Sequence, residues 1–468
     1  MGRSDFYGWR LVGAFWVIVF INLAFAAYGS PVMNRHMAID LHLSRSLAGL
    51  PYNLYTVMSA VPSILVALLV RSIGVRRTVT LGSLLIACGA LAMATLVHSA
   101  LGAALAFGVV VGFGVAAGGP LGVQPGVVHW FVRRRALALS IVYSAGGVGG
   151  FVAGRMLERL IAAWGGNWRA GWWLFAGLAL LAALIAAVFV RDRPEDLGQV
   201  PDGIREPENA DASVTGAAPA ADAGKGAPPG GPRRALPAFI TREVWSLPEV
   251  LRCFKFWVMV LALCGGSAGY TLFLSQGLLH LADLGHSATA AAAALGVATG
   301  STLLGKVALG LFGDRIDPRY IWALTMAVFG IGLLVLVDAR SGTSLYTFAI
   351  CIGFGFGGGL VCLMAVLSNY YGARVFAAAA GVAAAMNTIV SFVASQLGGM
   401  VYDRLGSYAP TFYSLAAWCF LGAVALLLVQ PPRRDARASA LLAATGLEPS
   451  AHPAVADLAG ASTTKGRQ

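Results

Sequence analysis

The sequence predicts an all-α membrane protein whose twelve transmembrane helices form two pseudo-symmetric six-helix bundles. Hydrophobic residues make up 58% of the 468 residues and charged residues only 12%, with a mean hydropathy of +0.74. A soluble domain carries about 25% charged residues, so the composition excludes one. Long apolar runs recur along the chain, and one polar stretch divides them into two sets of six.

The first set of apolar runs begins directly after residues 1–10, where we find no small-residue cleavage site and expect no cleaved signal peptide. A spanning helix needs about 20 mainly apolar residues. Runs that meet this requirement lie near 11–31, 50–70, 78–97, 101–123, 136–160 and 169–190. Residues 1–195 are therefore predicted to form an N-terminal six-helix bundle.

Residues 196–250 are polar and contain GAAPAADAGKGAPPGGPRR, a composition typical of a flexible linker. The second set of apolar runs lies near 256–279, 288–312, 320–337, 344–367, 375–399 and 410–430. We predict a C-terminal six-helix bundle over 251–430 and a disordered cytoplasmic tail over 431–468.

The net charge of +12 does not indicate a nucleic-acid partner, because the 33 Lys and Arg residues lie mainly between the apolar runs and not on one soluble face. Such residues concentrate in cytoplasmic loops. Their distribution predicts a multi-pass protein of the cell (inner) membrane with both termini in the cytoplasm. The six cysteines are scattered through the apolar runs, and we interpret them as packing residues.

The two halves of the chain echo each other. HWFVRRRALALSIVYSAGGVGG introduces the fifth span, and SNYYGARVFAAAAGVAAAMNTIVS introduces the eleventh. LLVRSIGVRRTV after the second span corresponds to LGLFGDRIDPRYI after the eighth. Internal repeats joined by a long linker are the layout of many secondary transporters.

At these residues the chain resembles the major facilitator superfamily, whose loop after spans 2 and 8 reads roughly G-x-x-x-D-R-x-G-R-R. The first copy has lost its aspartate and has Val70 and Arg71 around that position. The resemblance implies a gating role for the better-kept second copy, which contains Gly310, Asp314, Arg315 and Arg319.

Four further stretches resemble the monocarboxylate transporter and oxalate:formate antiporter branch of that superfamily. They occur in the order YGWRLV, WFVRRRALALSIVYSAGGVGG, RPEDLGQVPDG and LLHLADLGHSATAAAAALG. Together the resemblance covers about residues 6–430.

Lys306 is the first candidate for the substrate site, because a cation within an apolar span costs several kcal/mol and is a functional candidate by default. Snorkelling to the cytoplasmic headgroups, or an ion pair near Asp314, is the alternative. The resemblance implies a substrate role, since monocarboxylate transporters usually place a carboxylate-binding arginine there. Some relatives have an aspartate one turn earlier, where this chain has Thr302. We therefore expect no carboxylate in the membrane interior, which leaves Lys306 itself as a proton-coupling candidate.

Arg155, Glu158 and Arg159 form a charge cluster towards the outer end of the fifth span. Spacings of three and four place them on adjoining faces of one helix. Two interpretations stay open: an interfacial cluster, or an outer-mouth site that attracts anions. The family often has proline near position 155, so Arg155 is a departure.

Other polar residues within apolar spans are predicted to line the substrate cavity, with interhelical hydrogen bonding as the alternative. They are Tyr28, Gln124, Tyr143, Tyr270, Gln276 and Asn387. His280 lies at the outer end of span 7, where the family commonly has histidine. It is a second proton-coupling candidate, with a cap or loop role as the alternative.

The sequence contains no metal-ligand cluster and no catalytic serine–histidine–acid set, so we expect no enzyme, no cofactor and no bound metal. Glycine runs such as GFGFGGGL lie inside spans and indicate close helix packing. The lysine that many monocarboxylate transporters have in span 1, and the one expected of an oxalate carrier in span 11, are both absent. A dianionic substrate is therefore disfavoured.

The expected function is secondary active transport of a small organic monocarboxylate by alternating access, with proton symport. The alternatives are an anion exchanger of the oxalate:formate type and an exporter of an unrelated small molecule. A non-transporting nutrient sensor is the alternative from another class. Expected partners are the carboxylate, protons and the lipid bilayer, with the monomer as the functional unit.

Overall fold

The computed structural model describes residues 6–432, with gaps at 133, 204–238, 240, 242–244 and 313–315. For residues 136, 308–312, 360, 373 and 374 only the backbone is described. Within this part of the chain the regular elements are helices, and no strand occurs. The predicted all-α class is therefore confirmed.

The first half of the chain supplies six long helices, joined by short loops. They are α1 Gly8–Asp40, α2 Arg45–Ala60, α3 Ser63–Thr95, α4 Ala100–Trp130, α5 Arg135–Ala163 and α6 Arg169–Phe189. Two 3₁₀ turns, Pro194–Leu197 and Pro201–Gly203, follow α6.

The second half begins with the short helix Leu247–Arg252, whose N-terminus is capped by Ser246 and Glu249. Six long helices follow. They are α7 Phe254–Asp283, α8 Ala288–Phe312, α9 Pro318–Val337, α10 Gly342–Tyr371, α11 Ala373–Leu405 and α12 Ala409–Leu428.

Eleven helices of the described residues are long and apolar enough to cross a membrane, one fewer than the twelve predicted spans. The difference lies at Gly74, where φ is 84° and ψ is 167° inside α3. This left-handed φ is one that glycine adopts readily, and it interrupts the helix. Residues 63–73 therefore continue the span that begins in α2, and residues 75–95 form the next one.

Asp192, just after α6, stabilises the interruption at Gly74. Its Oδ1 accepts a hydrogen bond of 2.7 Å from the backbone N–H of Arg76, in the first turn after the break. A carboxylate is favourable at a helix N-terminus because the first N–H groups have no partner within the helix. A residue distant in sequence thus supplies an acid where the loop motif has lost its own.

Three helices contain π-helical segments, which often mark functional sites. They are Phe20–Gly29 in α1, Ala104–Val111 in α4 and Phe273–Gly277 in α7. Two of the predicted cavity residues, Tyr28 and Gln276, lie within them.

Successive spans run in opposite directions, so the loops between spans collect at two faces. The terminal face contains Tyr7, whose N–H donates to Gln199 over 3.0 Å, and Arg319, which donates to the Val429 carbonyl. The opposite face contains the α1–α2 and α5–α6 loops, where Trp168 donates to Asp40 over 3.0 Å.

The described residues of Met1–Val429 form one compact unit. Helix α3 packs on α4 and α6 in the first half, and α8 packs on α10 in the second. Across the halves, α5 contacts α8 and α2 contacts α11. The partition into two bundles with a linker at 196–250 stays a prediction.

Large apolar side chains cover the outside of the helices. Ile64 is 76% exposed, Leu421 70% and Leu428 74%. Contiguous apolar surface of this kind is unfavourable in water and suits contact with lipid chains. Together with the apolar helices it supports a multi-pass membrane protein.

Candidate functional site

Helices α5 and α8 meet closely in the half of the molecule near the opposite face. A Cβ placed on Gly150 of α5 would lie 2.7 Å from the Thr299 Cβ of α8 and 3.3 Å from Tyr28 of α1. Thr299 is only 2% exposed. We call this contact between Gly150 and Thr299 the α5–α8 seam.

Tyr143 and Lys306 lie on the same helix faces as the seam, each seven residues nearer the terminal face. Seven residues are close to two helical turns at about 3.6 residues per turn. Tyr143 therefore lies on the same side of α5 as Gly150, and Lys306 on the same side of α8 as Thr299. Each is about 10 Å from the seam along its helix. Because α5 and α8 are antiparallel, Tyr143 and Lys306 lie at the same depth on facing helices.

The side chains of Tyr143 and Lys306 are more exposed than the two seam residues. Tyr143 is 41% exposed and Lys306 is exposed, whereas Gly150 and Thr299 are buried. Among the described residues, no side chain forms a hydrogen bond or an ion pair with Lys306. Tyr143 and Lys306 therefore lie outside the close contact between α5 and α8, at matching depths on the two helices.

A cluster of tyrosines lies at the centre of the molecule, next to the seam. Tyr52 and Tyr55 of α2 have ring centroids 5.6 Å apart, and both lie near Tyr28. Tyr270 of α7 lies near Tyr28 and Tyr52. The sequence analysis missed Tyr52 and Tyr55, although their spacing of three places them on one helix face.

Several polar atoms at this depth are buried without a hydrogen-bond partner among the described residues. They are the Tyr270 hydroxyl, Asn387 Oδ1 and Ser391 Oγ. Tyr270 stacks on Phe356 with ring centroids 3.8 Å apart. Asn387 and Ser391 are one turn apart on α11, which packs against α7. Buried polar groups usually have a partner, so these atoms form a surface ready to bind a polar ligand.

Gln276 bridges α7, α11 and the loop before α12. Its Nε2 donates to the Ser395 carbonyl over 3.2 Å, and its Oε1 accepts from the Tyr408 hydroxyl over 2.7 Å. Gln124 is half-buried on α4. The structure therefore assigns Gln276 an interhelical bond, whereas Tyr28 and Tyr270 belong to the central tyrosine cluster.

His280 is buried at the end of α7 near the opposite face. Its Nε2 lies 2.9 Å from the Leu336 carbonyl, and its ring packs edge-on against Phe412 at 5.1 Å. These contacts anchor α7 to α9 and α12. The proton-coupling role predicted for His280 stays a prediction.

The opposite face is closed by polar contacts between the halves. Arg45 of α2 pairs with Asp283 of α7 over 2.6 Å. Asp403 of α11 accepts hydrogen bonds from the backbone N–H groups of Arg45 and Ser46, at 2.7 and 3.1 Å. One carboxylate thus caps the N-terminus of α2 from the other half of the chain. The sequence analysis did not identify these three charged residues.

The structure gives each member of the predicted charge cluster a different environment: Arg155, Glu158 and Arg159 do not form one site. Arg155 is half-buried, with its guanidinium 4.4 Å from the Phe151 ring centroid, and Arg159 is exposed. Glu158 is only 5% exposed, and its Oε2 lies 3.1 Å from His36 Nε2. Glu158 is thus buried in the protein near the opposite-face end of the candidate span Leu137–Ala163, and the expectation that no carboxylate lies in the membrane interior stays a prediction.

The loop motif after α8 is described only in part. Asp314 and Arg315 lie outside the described residues. Arg319 donates to the Val429 carbonyl and lies 3.6 Å from Asp317, which accepts a hydrogen bond of 3.2 Å from Tyr370. Asp317, missed from sequence, joins α9 to α10 at the terminal face.

No group of three or more His, Cys, Asp and Glu side chains within the described ranges could hold a metal ion.

Comparison with known families gives a match to the Major Facilitator Superfamily over residues 15–394 and 278–458. Monocarboxylate transporter 13 of Rattus norvegicus is 25% identical over 303 residues, covering 64% of this chain and 60% of that protein. Monocarboxylate transporter 3 of the same species is 26% identical, covering 87% of this chain and 76% of that protein. The chain thus spans about three fifths of the length of the first of these relatives.

Among solved structures, a bacterial homolog of the human lysosomal transporter Spinster, in an inward-facing and occupied conformation, has a similar fold. The TM-score is 0.64 at 15% identity, and the match covers 91% of this chain and 97% of the other. At this identity the likeness supports the fold alone.

Proposed function

Since the chain belongs to the Major Facilitator Superfamily, we propose that it carries a small organic monocarboxylate across the cell membrane by alternating access, with a proton as co-substrate. It is a multi-pass transporter and not an enzyme. Under this proposal both termini lie in the cytoplasm, and the monomer is the functional unit.

The observation that carries the proposal is the position of Lys306. Its ammonium group lies in a span whose neighbouring residues are apolar, on the face of α8 that opposes Tyr143. Lys306 has no ion-pair partner among the described residues. Such a cation is costly in a membrane interior, and a bound carboxylate removes that cost. A carboxylate also accepts charge-assisted hydrogen bonds, which are about twice as strong as neutral ones. One cation suits one carboxylate, which favours a monoanion.

The rest of the substrate is proposed to lie against the central tyrosines. Tyr28 and Tyr270 supply apolar ring surface and hydroxyl groups, and Asn387 and Ser391 supply unpartnered polar atoms. Pockets for small molecules commonly combine mainly apolar walls with a few placed polar groups. A short acid with an apolar or hydroxylated body fits this combination.

Alternating access is proposed to proceed by separation of the halves at the opposite face. In the structure, contacts of Arg45 with Asp283 and Asp403 join the two halves at that face. A rocking motion would break these contacts and bring Tyr143 towards Lys306. Closure at one face and opening at the other is the general mechanism of repeat-built carriers.

The test is uptake by the full-length protein in liposomes, with [¹⁴C]pyruvate, [¹⁴C]lactate, [¹⁴C]benzoate and [¹⁴C]oxalate as probes. We expect at least one monocarboxylate to accumulate when the trans side is alkaline, and oxalate to be carried poorly. Uptake that needs a trans anion and ignores the pH gradient would indicate an exchanger. No transport of any monocarboxylate by protein that is folded and correctly inserted would contradict the proposal.

A further inference from the structure

A cavity of about 1410 Å³ lies at the terminal face, around the interruption of α3 at Gly74. Its lining residues come from α3, from the end of α4 and from the end of α6 with the segment that follows it. The proposed substrate site uses none of them. Pockets for small molecules usually measure about 300–1,000 Å³, so this cavity has room for a larger ligand.

The charged side chains that line the cavity are four arginines and two aspartates, a net charge of +2. They are Arg71, Arg76, Arg77, Arg193, Asp192 and Asp196. Asp192 accepts a hydrogen bond of 2.7 Å from the backbone N–H of Arg76, and Asp196 accepts one of 3.1 Å from that of Arg193. The three arginines of α3 are exposed, and within the described part of the chain no hydrogen bond or ion pair engages their guanidinium groups. The cavity therefore offers cations to a ligand.

The two walls that α3 supplies are apolar in the membrane and basic at the terminal face. Before the interruption α3 runs towards the terminal face, so Ala67 lies about 6 Å deeper along the helix than Arg71. After the interruption the direction reverses, and Leu81 lies about 6 Å deeper than Arg77. A spacing of four places the members of each pair on one side of the helix. Both walls thus change from apolar to basic over one turn.

The deep end of the cavity continues into the exposed apolar surface of the helices. Leu81 lines the cavity and is exposed, and so is Leu68, next to the lining residue Ala67. On α6, Ala187 lines the cavity beside the exposed Val188. In a membrane, surface of this kind contacts lipid chains. A ligand with an anionic group at one end and hydrocarbon at the other matches both parts of the cavity.

We propose that the cavity binds an anionic phospholipid from the membrane leaflet at the terminal face. The guanidinium groups hold the phosphate, because arginine donates forked, charge-assisted hydrogen bonds to phosphate oxygens. The acyl chains follow the apolar walls. Basic pockets between membrane helices bind anionic headgroups in this way. A free phosphate or a soluble acidic peptide would leave the apolar walls without contact.

A bound headgroup would connect the two parts of α3 on either side of Gly74, since Arg71 precedes the interruption and Arg76 and Arg77 follow it. The inference concerns a lipid site and does not depend on which substrate is carried. Its test measures binding and contains no transport step, so its failure and that of the proposed function are distinguishable.

The experiment measures lipid binding to the full-length protein, purified in a non-ionic detergent, by native mass spectrometry. We expect dioleoylphosphatidylglycerol to bind about tenfold more tightly than dioleoylphosphatidylcholine, which has the same chains and no net charge. Glycerol 3-phosphate, which has the phosphate and no chains, should bind more weakly than phosphatidylglycerol. Equal affinity for the two lipids would overturn the inference. Glycerol 3-phosphate binding as tightly as phosphatidylglycerol would overturn it too, because the site would then be one for free phosphate.

A triple variant, Arg71→Gln with Arg76→Gln and Arg77→Gln, places the lipid in this cavity. Its affinity for phosphatidylglycerol should fall by about tenfold or more, since each arginine lost removes attraction to the phosphate. Glutamine at position 76 keeps the backbone N–H that Asp192 accepts from, so the interruption of α3 keeps its cap.

The matched control removes the same charge from exposed arginines at the terminal face that do not line the cavity. It combines Arg10→Gln, Arg134→Gln and Arg252→Gln. The control should bind phosphatidylglycerol as the parent does. Parental affinity in the cavity variant, or an equal loss in the control, would show that the lipid does not bind in this cavity. Melting curves in detergent establish that both variants are folded, and the comparison of headgroups on the parent protein tests the inference without either variant.

Discussion

At the scale of single residues, the central prediction concerns Lys306. Lys306→Gln should weaken binding of the carried acid by about tenfold or more, because a hydrogen bond to a charged group contributes about 1.5–3 kcal/mol. Lys306→Arg should retain substantial activity with altered specificity, since the charge is kept while a fork replaces a point charge. Substrate titrations on the purified variants measure both effects.

The matched control for Lys306→Gln is Arg340→Gln. The Arg340 side chain is 74% exposed and pairs with Asp338 in the α9–α10 loop. Its replacement therefore removes a cation away from Lys306. The methyl ester of the acid should lose less affinity than the acid in Lys306→Gln. If Lys306→Gln binds the acid as tightly as the parent protein does, Lys306 does not contact the substrate, and snorkelling to the membrane surface explains its position.

At the scale of helices, the contact between α5 and α8 depends on Gly150. Gly150→Ala should lower transport and thermal stability, because the new Cβ would lie 2.7 Å from Thr299. Overpacking of this kind typically costs about 1–3 kcal/mol. Uptake rates and melting curves in detergent measure the two effects.

Gly147→Ala is the control on the same helix, since nothing lies within 4 Å of a Cβ placed there. Alanine is favoured over glycine in a helix by about 1 kcal/mol, so this variant should equal or exceed the parent in stability. If both alanine variants transport and melt alike, close approach of α8 at Gly150 is not required.

At the scale of the whole molecule, the charged contacts at the opposite face set the balance between two conformations. Removing both acids with Asp283→Ala and Asp403→Ala should shift the population towards opening at that face. If the contacts together contribute about 1–2 kcal/mol, the open fraction should rise about five- to thirtyfold. A cysteine introduced at Leu295, buried in the closed seam, reports the change through its rate of labelling by an impermeant maleimide.

The control for this double variant is Asp338→Ala, which removes an exposed acid from the same face. The Asp338 side chain is 72% exposed, and its pair with Arg340 joins neighbouring residues within one loop. Its labelling rate should match that of the parent. An unchanged rate in the double variant would mean that other contacts hold the face closed.

Much of this organisation follows from the sequence alone. Apolar runs of about 20 residues have few stable alternatives to spanning helices, because a bilayer offers backbone groups no partner. Lys306 also stands out locally, since charge in such a run is rare. The polar residues Tyr28 and Tyr270 could also be picked out from the sequence, and their role in binding stays a prediction.

Only the tertiary structure decides which of these residues meet. Glu158 belongs with His36, 122 positions away, rather than with the arginines beside it. The Gln276 side-chain amide forms hydrogen bonds with Ser395 and Tyr408. Asp192 supplies a carboxylate beside Gly74, where the loop motif lacks its own aspartate. Periodicity assigns each side chain to a face of its own helix. The identity of the facing helix depends on long-range packing, which carries no local signature in the chain.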